Sequence, residues 1–284
     1  VKALLGDKNV FLCDAPYQDF SRLVNARYAL EKARQIKPEE FEISLLYAEV
    51  LAAQSERQQA FECYQRLVDH PMSGSAEWHW RVMGGLGKVA LQQQEVETAL
   101  AVLKEAVQSR PENVLLRRLL AEALLLAQLR DEAMQTARTV LKLASNDIHV
   151  LLWFADIASR LEEDGEAIEA LTCVTELDAT SAENWLLLAE ACVRTGSQEE
   201  ARRALSSLLK FEQLSGTHWR RVAYVFLELN DKDSALSSFG QALAQEENQS
   251  VDFLFELSCL QAAMGDHEAA LYSVQKAIGL APSD

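Results

Sequence analysis

Three carboxylates recur at a fixed interval: Glu122, Asp156 and Glu190 stand 34 residues apart. Arg160 and Arg194 follow at the same interval, each four residues after an acid. Charges spaced in this way either neutralise one another along a helix, each pair contributing about 0.2–0.5 kcal/mol, or offer both signs to a bound peptide. No residue pair has the arrangement of a nucleophile and its base. The sequence holds no HExxH, GxSxG or Walker A motif. Gly84-Gly85-Leu86-Gly87-Lys88 looks like a phosphate loop, but it lacks the upstream glycine and continues into Val89 rather than Ser or Thr. His70, His79, His149, His218 and His267 are too scattered for a zinc site. The chain is therefore expected to have no catalytic residue, no metal site and no cofactor, and is read as a non-enzyme.

The interval of the carboxylates is also the interval of the chain. Alanine stands at 26, 60, 99, 133, 167, 201, 235 and 270, with gaps of 34 or 35 residues except one of 39. Four and seven residues beyond each alanine the side chain is apolar or small, as in Leu171 and Val174 or Leu205 and Leu208. An i, i+4, i+7 stripe is one buried helix face. Twelve residues before most of these alanines comes a second small residue, as at Gly87, Ala121, Ala155 and Ala189. Small residues in register on two helices let the backbones approach closely. A period of this length marks helix pairs stacked as an array.

The pattern resembles the tetratricopeptide repeat (TPR) family. The resemblance rests on Trp185, Leu188, Ala189, Ala201, Leu205 and Leu208 in one copy, and on Trp219, Val222, Ala223, Phe226, Ala235, Phe239 and Ala242 in the next. Pro38, Pro111 and Pro282 stand at the family's terminal proline, with Pro71 one place early. It implies an all-α fold, a right-handed superhelical solenoid of about eight helix-turn-helix repeats, sixteen helices in total. The expected repeats run near 7–40, 41–79, 80–113, 114–147, 148–181, 182–215, 216–250 and 251–284, as one array. Turn breakers are expected at Gly165, Gly196, Asn230-Asp231 and Gly265-Asp266. The extra residues around His70–Ser75 read as a longer loop, either a plain connection or a joint or contact loop.

Net charge is −16, which disfavours nucleic acid and anionic membrane as partners. It either serves solubility or attracts a basic partner, and the C-terminal repeats are the most acidic. No window approaches the length of a membrane-spanning helix. Five cysteines without CxxC spacing point to a reducing compartment, hence a cytoplasmic location. The start at Val1, without Met or signal peptide, reads as a fragment of a longer protein.

The resemblance places the partner groove on the inner, concave side, formed by the first helix of each pair. Glu122, Asp156 and Glu190 are expected to form a carboxylate ladder there. Arg118, Arg220, Leu152, Leu186 and Tyr224 join them, and Arg81 could orient acidic groups of the ligand. Neither the Lys/Asn clamp of chaperone-tail binders nor an asparagine ladder is present. The function expected is a non-catalytic protein-interaction scaffold holding a peptide or helix, basic or amphipathic, of a partner protein. Two alternatives stay open: a recruiting domain of a larger enzyme, or a self-associating array.

Overall fold

The computed structural model describes residues 20–75, 78–245 and 251–280. Among them all regular structure is helical. The chain divides into two compact units, Val1–Ser145 and Asn146–Asp284. The first holds α1 (Phe20–Ile36), α2 (Phe41–Ala53), α3 (Arg57–Val68), α4 (His79–Gln92), α5 (Val96–Ser109), α6 (Val114–Leu126) and α7 (Arg130–Leu143). The second holds α8 (Ile148–Arg160), α9 (Asp164–Leu177), α10 (Ala182–Arg194), α11 (Gln198–Leu208), α12 (Gly216–Glu228), α13 (Lys232–Gln245), α14 (Val251–Ala263) and α15 (His267–Leu280). The helix expected before α1 lies outside the described residues, as do Cys13 and Pro282.

Why these segments pair follows from the alanines. All eight are buried, seven of them with no exposed surface. The small residues on the preceding helices, Ala48, Ala121, Ala155, Ala189 and Ala223, are buried as well. The paired helices α2–α3, α4–α5, α6–α7, α8–α9, α10–α11, α12–α13 and α14–α15 all pack together. The Gly84–Lys88 run lies inside α4 and packs against α5, with no loop to cradle a phosphate.

The turn within each pair has one chemistry throughout. The residue after the C-cap takes a left-handed conformation: Ser55, Gln94, Gln128, Glu162 and Asn230 have φ between 57° and 65°, and Gly196 and Gly265 have 74° and 84°. The next N–H reaches back to close a Schellman motif, as in Glu56 to Leu51, Leu129 to Leu124 and Asp231 to Phe226. The expected breaker Gly165 is not in a turn. It sits in the first turn of α9, and Glu162 takes the left-handed position instead. Because a Cβ is strained there, Gln128→Gly and Glu162→Gly are each expected to raise stability by about 0.5–1 kcal/mol. Gly196→Ala should lower it by a similar amount, all three read as shifts in urea midpoint.

The extra residues before α4 are ordered rather than a plain loop. Pro71–Gly74 form a short 3-10 helix, which His70 caps by accepting the Met72 N–H. The Ser73 hydroxyl is buried and donates to the Val68 and His70 carbonyls. Phe41 lies tilted against His70 and edge-on to Trp78, with ring centres 5.0 and 6.1 Å away. The insertion is clamped onto α2 by an aromatic cluster.

Candidate partner-binding surface

In the second unit, the first helices α8, α10 and α12 start from a polar cap. Asp147, Ser181 and Ser215 accept backbone N–H groups at the starts of α8, α10 and α12. That fixes where each helix starts; the buried stripe then decides which side chains face solvent. On these helices the buried stripe is Leu151, Phe154, Ala155 and Ala158 on α8, and Leu186, Ala189 and Cys192 on α10. Burial pushes the Cys192 thiol up to about 11, so it is a small apolar core group rather than a nucleophile.

The stripe flanking it is held together by polar bonds between successive first helices. Arg221 on α12 donates to both oxygens of Glu190 at 2.7 Å. Its other arm grips Glu183 at 2.7 and 2.8 Å. The bonds to Glu190, then those to Glu183, hold its guanidinium charge firmly, raising its pKa. His218 adds a contact to Glu183 at 3.2 Å. One helix further on, the Tyr224 hydroxyl donates to Glu256 on α14. Burial, and then the Glu256 carboxylate, push that hydroxyl up to about 12, so it remains a donor at neutral pH. The Tyr224 ring stands edge-on to buried Phe239 at 5.5 Å.

Several sequence expectations meet different surroundings here. Leu186 is fully buried and has no surface to offer a partner, because it falls on the same face as Ala189 and packs inward. Leu152 is half-buried. Glu190 does not pair with Arg194. Arg194 turns instead to Asp164 at 3.3 Å and to the Ser159 hydroxyl at 2.8 Å. Asp156 is exposed and pairs with Arg160 at 3.4 Å. Arg220 lies over the Phe253 ring, 5.5 Å from its centre. Glu122 and Arg118 belong to α6 of the first unit, where both are half-buried.

Arg81 is likewise committed. In the first unit it makes three hydrogen bonds of 2.7–3.0 Å to Glu49, whose side chain is only 1% exposed. It is therefore not available to orient a ligand. Burial pushes the Glu49 carboxyl up, and Arg81 opposes that shift.

Sequence reasoning missed the rungs, although a signal for them exists. Glu190 to Arg221 spans 31 residues, and Tyr224 to Glu256 spans 32. Both join the ninth residue of one first helix to the sixth of the next. Exposed on this side in the second unit are Phe255 (60% exposed), the Tyr224–Glu256 rung (Tyr224 38% exposed) and the Asp156–Arg160 pair. Among the described residues, no group of three potential ligands could hold a metal ion. No described helix is long and apolar enough to cross a membrane.

The comparisons with known proteins agree with this architecture. Residues 90–152 and 223–284 match models of the tetratricopeptide repeat. No curated protein matches the sequence. Among solved structures, a tetratricopeptide repeat protein from Parabacteroides merdae superposes with a TM-score of 0.62 at 13% identity, over 86% of this chain and 94% of its own. YrrB, described as a TPR protein with an unusual peptide-binding site, gives 0.52 at 19% identity, over 66% of this chain and 93% of its own. MamA from Desulfovibrio magneticus gives 0.51 at 14% identity, over 61% and 94%.

Proposed function

We propose that this tetratricopeptide repeat protein is a non-catalytic scaffold that holds a peptide or helix of a partner protein. The site is the solvent-exposed stripe of the first helices in the second unit. The observation that carries this reading is Phe255 and Tyr224, exposed beside Glu256 on adjacent helices. Phe255 in particular is left largely in solvent beside an unburied acid, which costs solubility, as expected of a contact surface. Aromatic side chains also dominate binding energy at protein interfaces.

The charge points to the partner's chemistry. Residues 146–284 carry 24 Asp and Glu against nine Lys and Arg, whereas residues 1–145 carry 19 against 18. Nearly all of the net charge of −16 thus belongs to the second unit. A basic amphipathic segment fits it, with its apolar side on Phe255 and Tyr224 and its cations towards Asp156 and Glu256. YrrB, by its description, also has a peptide-binding site, which accords with this use of the fold.

The test is a titration with a synthetic amphipathic helix bearing lysines on its polar side. Tyr224→Ala combined with Phe255→Ala should weaken binding by about tenfold or more. Rising salt should weaken it further, because exposed charges are screened beyond about 8 Å. Binding that ignores both the double substitution and salt would place the site elsewhere.

A further inference from the structure

Helix α11 departs from its counterparts. α9 and α13 each have 14 residues, whereas α11 has 11 and stops at Leu208. In register with α9, it would run on to residue 211. Instead the chain leaves the helix, and α12 begins only at Gly216. The lost turn leaves a notch of about 280 Å³ lined by Ala179, Trp185, Ser207, Lys210 and Phe211.

The notch has fixed walls. The Trp185 indole N–H donates to the Ala179 carbonyl at 3.1 Å, which locks the ring in place. Phe211 supplies the other aromatic wall, and its backbone N–H is tied to the Leu208 carbonyl at 3.1 Å. Ser207 and Lys210 form the α11 side. The Lys210 ammonium has no ion-pair partner among the described residues. Arg203 is equally unpaired and lies on the same face of α11, four residues before Ser207. Asp178, in the neighbouring turn, is held by the Thr180 N–H and hydroxyl at 3.0 and 2.6 Å. These bonds hold its carboxylate ionised, turned towards its own loop.

We propose that this notch is a second binding site, separate from the aromatic surface on α12 and α14, for an apolar side chain flanked by carboxylates on a partner peptide. The apolar group enters between Trp185 and Phe211. The flanking carboxylates meet Lys210, just past the end of α11, and Arg203 on the helix itself. The volume suits a single side chain, not a helix. The overall acidity of the unit does not prevent this, since charges more than about 8 Å away are screened at physiological salt. The site thus selects acidic–apolar sequence, the opposite of what the neighbouring surface takes.

The probe is a fluorescein-labelled heptapeptide with phenylalanine between two aspartates, titrated by anisotropy against the whole chain. Saturable binding is expected, weakened by about tenfold in Lys210→Glu. Ser207→Phe, which fills the notch, should abolish it, and Glu212→Gln, which removes an adjacent acid, should tighten it. Tyr224→Ala should leave it unchanged, which separates this site from the first. Circular dichroism and a thermal melt identify any variant that fails to fold. Lys210 is exposed, so Lys210→Glu leaves packing intact. The proposal is overturned if the peptide shows no saturable binding, if folded Ser207→Phe binds as well as the parent, or if a lysine-flanked version of the peptide binds equally.

Discussion

Glu49→Ala is expected to destabilise the first unit by about 3–5 kcal/mol. The Glu49 carboxylate is almost wholly buried, and Arg81, only 14% exposed, is its hydrogen-bonded partner. Removing the acid leaves a guanidinium in a dry site, with the Trp78 ring 5.3 Å away as its remaining neighbour of note. An uncompensated buried charge costs far more than the intact pair contributes. Arg81→Ala should therefore be similarly damaging. Glu49→Leu together with Arg81→Met should restore most of the loss, since neither charge is then stranded. In stacked repeats each pair contacts only its neighbours, so the damage should stay local. Hydrogen exchange should report it in α2 to α4 and not in α10 to α13. A loss below about 1 kcal/mol would mean that water reaches Glu49.

Gly87→Ala should cost about 1–3 kcal/mol, although alanine is the better helix former. A Cβ on Gly87 would lie 2.4 Å from Leu103 Cγ and 2.6 Å from Cδ2, and Leu103 is fully buried in α5. Gly85 is as tightly placed, since its Cβ would meet the buried Tyr64 ring at 2.4 Å. Neither neighbour has open space to retreat into. The contrast is Gly240→Ala on α13, where nothing lies within 4 Å. That change should stabilise by about 0.5–1 kcal/mol, by the helix propensity alone. Thermal melts of the two variants moving in opposite directions would confirm close packing at Gly87. A Gly87→Ala variant as stable as the parent would show that α4 and α5 part easily.

The helical fold was readable because its signal is repeated. Alanine at Ala99, Ala133, Ala167 and Ala201 fills the same buried contact each time, so chance agreement is excluded by recurrence. The turns were half readable. Gly196 and Gly265 announce their left-handed conformation, but Gln94, Gln128 and Glu162 adopt it without a compositional cue. There the Schellman bonds impose a geometry that the residue type does not favour. Gly165 misled for the same reason. The surface was least readable. Spacing puts Glu190 and Arg194 on one helix face, yet Glu190 bonds across to Arg221 and Arg194 to Asp164. Pairing between helices outcompetes the weak i, i+4 pair wherever a neighbour presents a better donor. Leu186 shows the same limit. An apolar residue on the expected binding side of a helix can equally be packed against the next one.

A partner lying across the first helices of the second unit should be captured by a reactive group placed on them. This is tested most directly by placing a photo-crosslinking amino acid at Phe255, and in a separate variant at exposed Glu169 on the second helix α9. Each is irradiated with the lysine-bearing amphipathic helix and digested for mass spectrometry. Adducts are expected from position 255 that disappear in excess unlabelled helix, and none from position 169. Adducts from 169 with none from 255 would contradict that placement.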